Sequence, residues 1–449
     1  MYVIYSFLLT LGFVLLLPLF LLDAFRHGKY RAGLRQRLGG VKPVTTKPQP
    51  IWLHCVSVGE TQAARPLVKR LRQEYPNHPL VVSTITSTGQ GLAREVFRDV
   101  AQDVLYFPFD FSFSIRRSLN QVDPAMVLLM ETEIWPNFLR VCQQRRIPVA
   151  IVNGRISERS FRRYRVIKPF MRRVLQSISL AIMQSEEDAE RLLRLGISSE
   201  RVFTSGNLKF DAGIAETPSD LTNEISRTFK LNKRPLIVAA STHAPEEKIL
   251  IEVFQSIHSN SVSPKPRLLL APRHPERFEE VVGLMKSSGL PYNRRTAPSG
   301  VEADLMLLDT IGELPATYGL ASIVFVGGSI AKAGGHNILE PAAIGSCIVT
   351  GPHTFNFAAI VREFLRHKAI VQLPPFTDTK AVQETALVFS KLLADSDLRR
   401  GLQQKARELV QQNLGATERT LQILTPLFQS FTLTPAKNRL LQREKAQSA

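Results

Sequence analysis

An α/β fold of two doubly wound domains is what this sequence predicts, and three observations predict it. From residue 51 onward, short apolar runs alternate with amphipathic stretches, the pattern of βαβ units and parallel sheets. The pattern stops at a polar interval, 211–234, and then restarts. At 449 residues the chain exceeds one ordinary core, so two domains plus appendages is the natural division.

The first element is an apolar run from Val3 to Leu22, VIYSFLLTLGFVLLLPLFLL, without a charge. Its length matches the ~20 residues that cross a hydrocarbon core, and Pro18 is tolerable near the end of a membrane helix. Arg26, Lys29, Arg31, Arg35 and Arg37 follow, which puts the C-terminal side in the cytoplasm. A cleaved signal peptide would need a basic leading region and a small-residue cleavage site, and neither is there. A helix lying in the membrane interface is the remaining reading. The expected division is an anchor over 1–23 and a basic juxtamembrane segment over 24–50.

The first domain, 51–215, is expected to carry strands at Ile51–Val56, Leu80–Thr84, Val127–Met130, Val149–Val152 and Leu180–Met183. Helical patterns at Thr61–Tyr75, Trp135–Arg145 and Glu186–Leu195 fall between them. Pro218, Asn223 and Asn232 mark a linker over 216–235. The second domain, 236–415, repeats the pattern with strands at Leu236–Ala240, Leu268–Ala271, Leu305–Leu308, Ile323–Val326 and Cys347–Thr350. A last helix and a basic tail occupy 416–449. Two such domains predict a ligand cleft between the carboxyl ends of their sheets.

Composition narrows the partners. The formal charge is +18, of which residues 1–215 carry +13 and residues 216–449 carry +5. A basic first half implies an anionic partner: nucleic acid, an acidic membrane face or a phosphorylated substrate. Cys55, Cys142 and Cys347 are far apart and read as buried free thiols in a reducing compartment. The scattered histidines form no zinc-type spacing, so no metal is expected.

Several segments then carry chemistry. Ser57-Val58-Gly59-Glu60 opens a helix after the first strand. It reads as a capping box, or as a carboxylate held at a cleft mouth to take a proton from an alcohol, and the two are compatible. In Met130-Glu131-Thr132-Glu133, carboxylates at a strand's end are costly unless paired or used. Glu133 reads as the start of the next helix, and Glu131 as a site residue.

The stretch from Arg155 to Arg173 holds eight cations, Arg155, Arg159, Arg162 and Arg163 among them, against the single acid Glu158. That excess points past a solvated face to an anionic lipid or phosphate. Arg273 ends a strand and suits a phosphate clamp, or else an ion pair with Glu276. Gly327-Gly328-Ser329 and Gly334-Gly335-His336-Asn337-Ile338-Leu339-Glu340 form a glycine-rich approach to a helix expected to begin near Asn337. Such backbone lets N–H groups reach a phosphate, and Glu340 is placed for ribose hydroxyls.

Together HCVSVGET, STITSTG, METEIWPN, GNLKFD, STHAPEE, APRHPERF, VGGSIAKAGGHNILEPAA and GPHTFNF closely resemble the Kdo transferases of Gram-negative lipopolysaccharide assembly. The resemblance covers nearly the whole chain. It implies a GT-B glycosyltransferase fold, CMP-β-Kdo as donor and a tetraacylated lipid A precursor, lipid IVA, as acceptor. It further implies an inverting, metal-independent reaction without a cofactor. Glu60 corresponds to the catalytic base, and Glu131 and Lys209 to groups that stabilise the transition state. Pro272, Arg273, Ile311, Gly312, Glu313, Asn337, Ile338, Leu339 and Glu340 correspond to the CMP site. Ile311 stands where relatives often have Met, a change that a backbone contact survives. The body is expected on the cytoplasmic side of the inner membrane, touching its anionic lipids.

Two rival readings are a membrane-associated transferase of UDP-sugars and a basic, membrane-tethered nucleic-acid-binding protein. Against the second, the chain shows no recognisable nucleic-acid module, and basic charge alone does not name the target. The number of Kdo units added and the oligomeric state are not legible in the sequence.

Overall fold

The computed structural model describes residues 1–27, 33–212, 219–231, 234–259, 264–300, 302–377 and 380–429, with the backbone alone for 17–27 and 219. The chain divides into two compact units: Met1–Ala212 with Gly415–Ala449, and Gly213–Leu414.

Unit 1 is built on a seven-stranded parallel sheet. Its strands are β1 (Ile51–His54), β2 (Leu80–Thr84), β3 (Ala101–Tyr106), β4 (Met126–Met130), β5 (Val149–Gly154), β6 (Leu180–Met183) and β7 (Val202–Thr204). They lie in the order β3-β2-β1-β4-β5-β6-β7. Unit 2 repeats the design with β8 (Leu236–Thr242), β9 (Arg267–Pro272), β10 (Tyr292–Arg294), β11 (Leu305–Leu307), β12 (Ile323–Val326), β13 (Ile348–Thr350) and β14 (Val371–Gln372). Their order is β10-β11-β9-β8-β12-β13-β14. Strand order reverses between β1 and β4 in one unit and between β8 and β12 in the other, and ligands bind beyond the strand ends at such points.

The central strands are buried along their whole length, so they read as unbroken apolar runs. The strands missing from the expectation, β3, β7, β10 and β14, are the four sheet edges. They are partly exposed, and their mixed sequences carry no continuous apolar signal. Inside unit 1, Trp52 is fully buried against Phe107 and Phe138, and its Nε1 donates to Ser83 Oγ at 2.8 Å. All three cysteines are free and buried.

The structure places three parts of this division. The polar interval is not a simple linker: Ser219–Thr228 is a helix of unit 2, and Ile225 and Phe229 are buried. Its apolar residues are few but fall on one face, which suffices once a neighbour covers it. Residues 213–218 and 232–233 lie outside the described residues. The last helix, 416–429, packs in unit 1. Phe428 stacks on Tyr75 at 3.8 Å, and Asp211 accepts from the Gly415 and Thr417 N–H groups at 2.8 and 2.6 Å. Residues 430–449 lie outside the described residues.

The amino-terminal run is one helix, Tyr2–His27, but its start is not free for lipid on all sides. Tyr2 and Tyr5 pack on Phe170, Phe13 packs on Phe109 and Phe111, and Tyr5 Oη donates to Asp110 Oδ2 at 2.8 Å. Among the described residues no helix is long and apolar enough to cross a membrane, and the side chains of 17–22 in the expected span lie outside them.

Candidate active site

In unit 1 the chain leaves β1 through Cys55 to Ser57 and enters the helix Val58–Glu74 with Ser57 as its N-cap. The Glu60 carboxylate turns back over that entry. Oε2 accepts from Val56 N at 2.7 Å and Oε1 from Ser57 Oγ at 2.9 Å, while Glu60 N donates to Ser57 Oγ. This is a capping box. Burial and then the charge of Glu131 push Glu60 up to about 7, against the hydrogen bonds from Val56 and Ser57. The capping-box reading of the motif holds.

Glu131 sits one residue past β4 with φ of 54°, a left-handed conformation that costs a non-glycine residue about 1 kcal/mol or more. Its N–H still bonds to Val152 O at 2.9 Å, so the turn is fixed by β5. Lys209 Nζ reaches Glu131 Oε1 at 3.0 Å. Lys209 is placed by Asn153 at the end of β5, whose Oδ1 accepts from Leu208 N at 2.9 Å, and Asn153 has φ of 56°. Three neighbouring strand ends thus gather Glu60, Glu131 and Lys209. Glu133 does not open the next helix, which begins at Pro136. It is pushed up by burial and by Glu131.

Because the Glu131 charge is the second largest cause of the Glu60 shift, Glu131→Gln is expected to lower the Glu60 pKa from about 7. Carboxyl carbon NMR titration measures it directly. A Glu60 midpoint unchanged in the variant would show that burial alone sets it.

The basic run does not form one face. It is split between two helices, Glu158–Val166 and Lys168–Leu175. Arg159, Arg162 and Arg163 are exposed, and the Arg162–Glu158 pair at 2.9 Å is solvated, with side chains 72% and 53% exposed. Such solvated pairs add little to stability. Arg155 is half-buried, and its N–H donates to Thr132 Oγ1. Lys168 and Arg172 instead join Arg201 around a cavity of about 730 Å³ whose lining contains none of the site carboxylates.

Unit 2 builds its site around two carboxylates absent from the expected set. The Glu246 carboxylate is buried at the end of β8 and accepts five backbone N–H groups. They come from His243 (2.9 Å), Gly328 (2.7 Å), Ser329 (2.9 Å), Ile330 (2.8 Å) and Ala331 (3.1 Å). It fixes the loop after β12 against the loop after β8. Gly327 is required there, since a Cβ would come within 2.7 Å of Ser241 O. Glu247, fully buried, accepts from Thr242 Oγ1 at 2.8 Å and pairs with Arg277 at 2.6 Å. The sequence signal for both was the pair of adjacent glutamates just beyond a strand in STHAPEE.

Arg277 also pairs with Glu280, so it, not Arg273, is the ion-pairing arginine of the turn after β9. Arg273 N bonds to Thr242 O at 3.0 Å, and its exposed side chain has no carboxylate partner within ion-pair distance among the described residues. Pro272 is buried beneath it. Asn337 Nδ2 donates to Glu340 Oε1 at 3.2 Å. Burial pushes Glu340 up, and the bond from Asn337 and the charge of Arg273 oppose it. Those three side chains therefore share one neighbourhood.

Ile338 and Leu339 are 1% exposed, and the Leu339 N–H donates to Asn337 Oδ1 at 3.0 Å. The helix begins at Leu339, near Asn337 as expected, and is six residues long, so its dipole is small. Ile311 is 81% exposed and Gly312 has φ of 87°. Glu313 is gripped by Arg295 at 2.8 and 3.1 Å, which holds it below the usual carboxylate range. The described bonds of Ile311–Glu313 run to Arg295 and Thr310 rather than to Arg273 or Glu340.

Residues 32–212 match the family model described as 3-deoxy-D-manno-octulosonic-acid transferase (kdotransferase). The chain is 36% identical to the 3-deoxy-D-manno-octulosonic acid transferase of Haemophilus influenzae over 94% of this chain and 97% of that relative. It is 35% identical to the protein of the same name from Bordetella pertussis, over 84% and 86% of the two chains. The UDP-GlcNAc 2-epimerase structure from Neisseria meningitidis superposes with a TM-score of 0.52 at 12% identity, covering 84% of this chain and 100% of that one, a likeness of fold alone.

Proposed function

Because the chain belongs to the 3-deoxy-D-manno-octulosonic acid (Kdo) transferase family of lipopolysaccharide biosynthesis, we propose that it transfers Kdo from CMP-β-Kdo to the lipid A precursor lipid IVA with inversion and Glu60 as general base. The enzyme is a glycosyltransferase. The observation that carries the mechanism is a buried carboxylate brought to about 7 beside the Glu131–Lys209 pair. A base that titrates near the working pH combines the ionised form with a useful proton affinity.

In the proposed step a hydroxyl oxygen of the acceptor attacks the anomeric carbon of Kdo. The bond from that carbon to the phosphate oxygen breaks, and its electron pair leaves with CMP. The hydroxyl proton passes to Glu60. Positive character develops on the sugar ring, which suits the Glu131 carboxylate, with Lys209 holding it in place through the 3.0 Å contact. The leaving group gains negative charge, for which Arg273, exposed and without an ion-pair partner among the described residues, is the proposed cation. Ribose hydroxyls are the fitting partners of the Asn337–Glu340 pair. No cofactor or metal takes part in this scheme.

The amino-terminal helix is proposed to hold the protein at the inner membrane, with both units on the cytoplasmic side. Support comes from its exposed apolar residues, Val3, Ile4, Phe7, Leu8 and Leu15 among them, and from the cations that follow. The docked Tyr2, Tyr5 and Phe13 favour a helix with one face on the body. Arg155, Arg159, Arg162 and Arg163 are proposed contacts for acceptor phosphates or anionic lipid.

The test is to incubate the purified protein with CMP-Kdo and lipid IVA and read product masses. A gain of one or more Kdo units is expected, and absence of any product would reject the reading. Arg273→Ala is expected to weaken CMP binding by about 10-fold, the worth of one charge-assisted contact. UDP should not compete. Unchanged CMP affinity by calorimetry, or equal competition by UDP, would remove Arg273 or the cytidine donor from the scheme.

A further inference from the structure

Beside Arg273, unit 2 holds three histidines that the donor scheme above does not use. His243 follows the end of β8, His274 follows Arg273, and His336 lies in the glycine loop before Asn337. The Nε2 atoms of His243 and His336 are 2.8 Å apart, and the two rings stack at 5.0 Å with 12° between their planes. His274 meets His243 edge-on at 4.9 Å. The pair is held in place. His243 N donates to Glu246 Oε2, and the His336 ring rests on Gly328, where any Cβ would stand 2.9 Å from Nε2. This is the strand-order reversal of the second sheet, where such folds bind ligands.

Two ring nitrogens at that distance share one proton. One ring donates through Nε2–H and has a bare Nδ1, while the other accepts through Nε2 and carries its proton on Nδ1. The two Nδ1 atoms lie on opposite sides of this contact, so an anion meets one of them, and the neutral pair offers it no net charge. A single proton added to the bare Nδ1 keeps the internal bond, makes that Nδ1 a donor to the anion and gives the pair one positive charge. We propose that His243 and His336 form a phosphoryl-binding element of the donor site that takes up this proton when the nucleotide phosphate arrives. The inference rests on the donor reading above.

The surroundings fit that behaviour. Without ligand the pair is kept neutral. Burial first, and then neighbouring groups, hold His336 down at about 4 and lower His243. The charged and titratable groups facing His243 are His274, Glu247, Arg277 and Arg273, with the Glu246 carboxylate on its N–H. Those facing His336 are His243, Arg273 and His274. Glu247 is committed to Arg277, and Glu246 to its five N–H groups, so neither supplies the missing negative charge. A phosphate does: a unit charge ~4 Å away raises a partly buried imidazole's pKa by about 3, enough to bring His336 into the neutral range. Arg273 and the imidazolium then share the anion.

The experiment is calorimetry of the full-length protein with CMP at pH 7.5, in buffers of different ionisation enthalpy. The dependence of observed heat on buffer gives the protons taken up. A group brought to about 7 is about a quarter protonated at pH 7.5, so uptake of roughly 0.2–0.3 proton per CMP is expected, and none with cytidine, which lacks the phosphate. His336→Gln should lose the uptake and bind CMP about 10-fold more weakly, and His243→Gln should do the same if the first variant does not fold. CMP binding with no uptake overturns the inference and leaves the donor reading intact. So does equal uptake in both variants, since the proton then sits on the phosphate itself. No CMP binding at all, under conditions where the protein is folded, overturns the donor reading and the inference with it.

Discussion

Glu60→Gln is expected to lower Kdo transfer by about 10²–10⁴-fold, the usual contribution of a general base, while the protein becomes more stable above pH 7. The amide can still accept from Val56 N and donate to Ser57 Oγ, so the helix start is kept. The sign of the stability change follows from the direction of the shift. Glu60 is raised from 4.5 to about 7, so its ionised form is disfavoured by the fold. The stability associated with the protonated form is complete below about 4.5 and is lost as pH rises through about 7. The loss amounts to about 3 kcal/mol at 1.36 kcal/mol per pKa unit. Wild type and variant should therefore unfold alike near pH 4 and diverge toward pH 8, with the variant the more stable. The activity of the wild type should rise along an acid limb centred near 7. A variant that transfers Kdo at the wild-type rate, or an acid limb near 4.5, would end the assignment of Glu60.

Glu246→Ala is expected to cost unit 2 about 3–5 kcal/mol. It leaves the N–H groups of His243, Gly328, Ser329, Ile330 and Ala331 without their acceptor, and each buried orphan costs about 1–3 kcal/mol before water enters. For a unit of this size that is a fall of about 6–20 °C in Tm. Glu246→Gln tests the same claim without a cavity. Its NH₂ would face N–H donors, so the isosteric change should destabilise nearly as much as alanine. Calorimetric unfolding decides it. A glutamine variant as stable as the wild type would mean that one oxygen suffices and that the loop after β12 is not held by the carboxylate's charge.

Much of the framework was legible because burial leaves a pattern in the chain. Strands such as Met126–Met130 and Ile323–Val326 are covered on both faces, so nothing but apolar residues will do along them. Edge strands such as Tyr292–Arg294 and Val371–Gln372 need only one partner and one covered face. Their residues are unconstrained enough to pass for loop. The helix Ser219–Thr228 hid for a related reason. It is polar except where Ile225 and its neighbours meet the unit, and a sparse stripe looks like a linker until its cover is seen.

The candidate site divides in the same way. Glu60, Glu131 and Arg273 announce themselves locally, as polar groups at the ends of buried strands where an unused charge is costly. The sequence by itself determined the two α/β units, the strand-end carboxylates and the basic first half, because each follows from period, length or composition within one segment. Only the tertiary structure decided that Lys209 meets Glu131, that Glu60 titrates near neutrality, that Glu246 gathers five amides and that His243 lies against His336. Those facts depend on distances between residues up to 93 positions apart, and electrostatic and hydrogen-bond energies follow separation in space rather than along the chain.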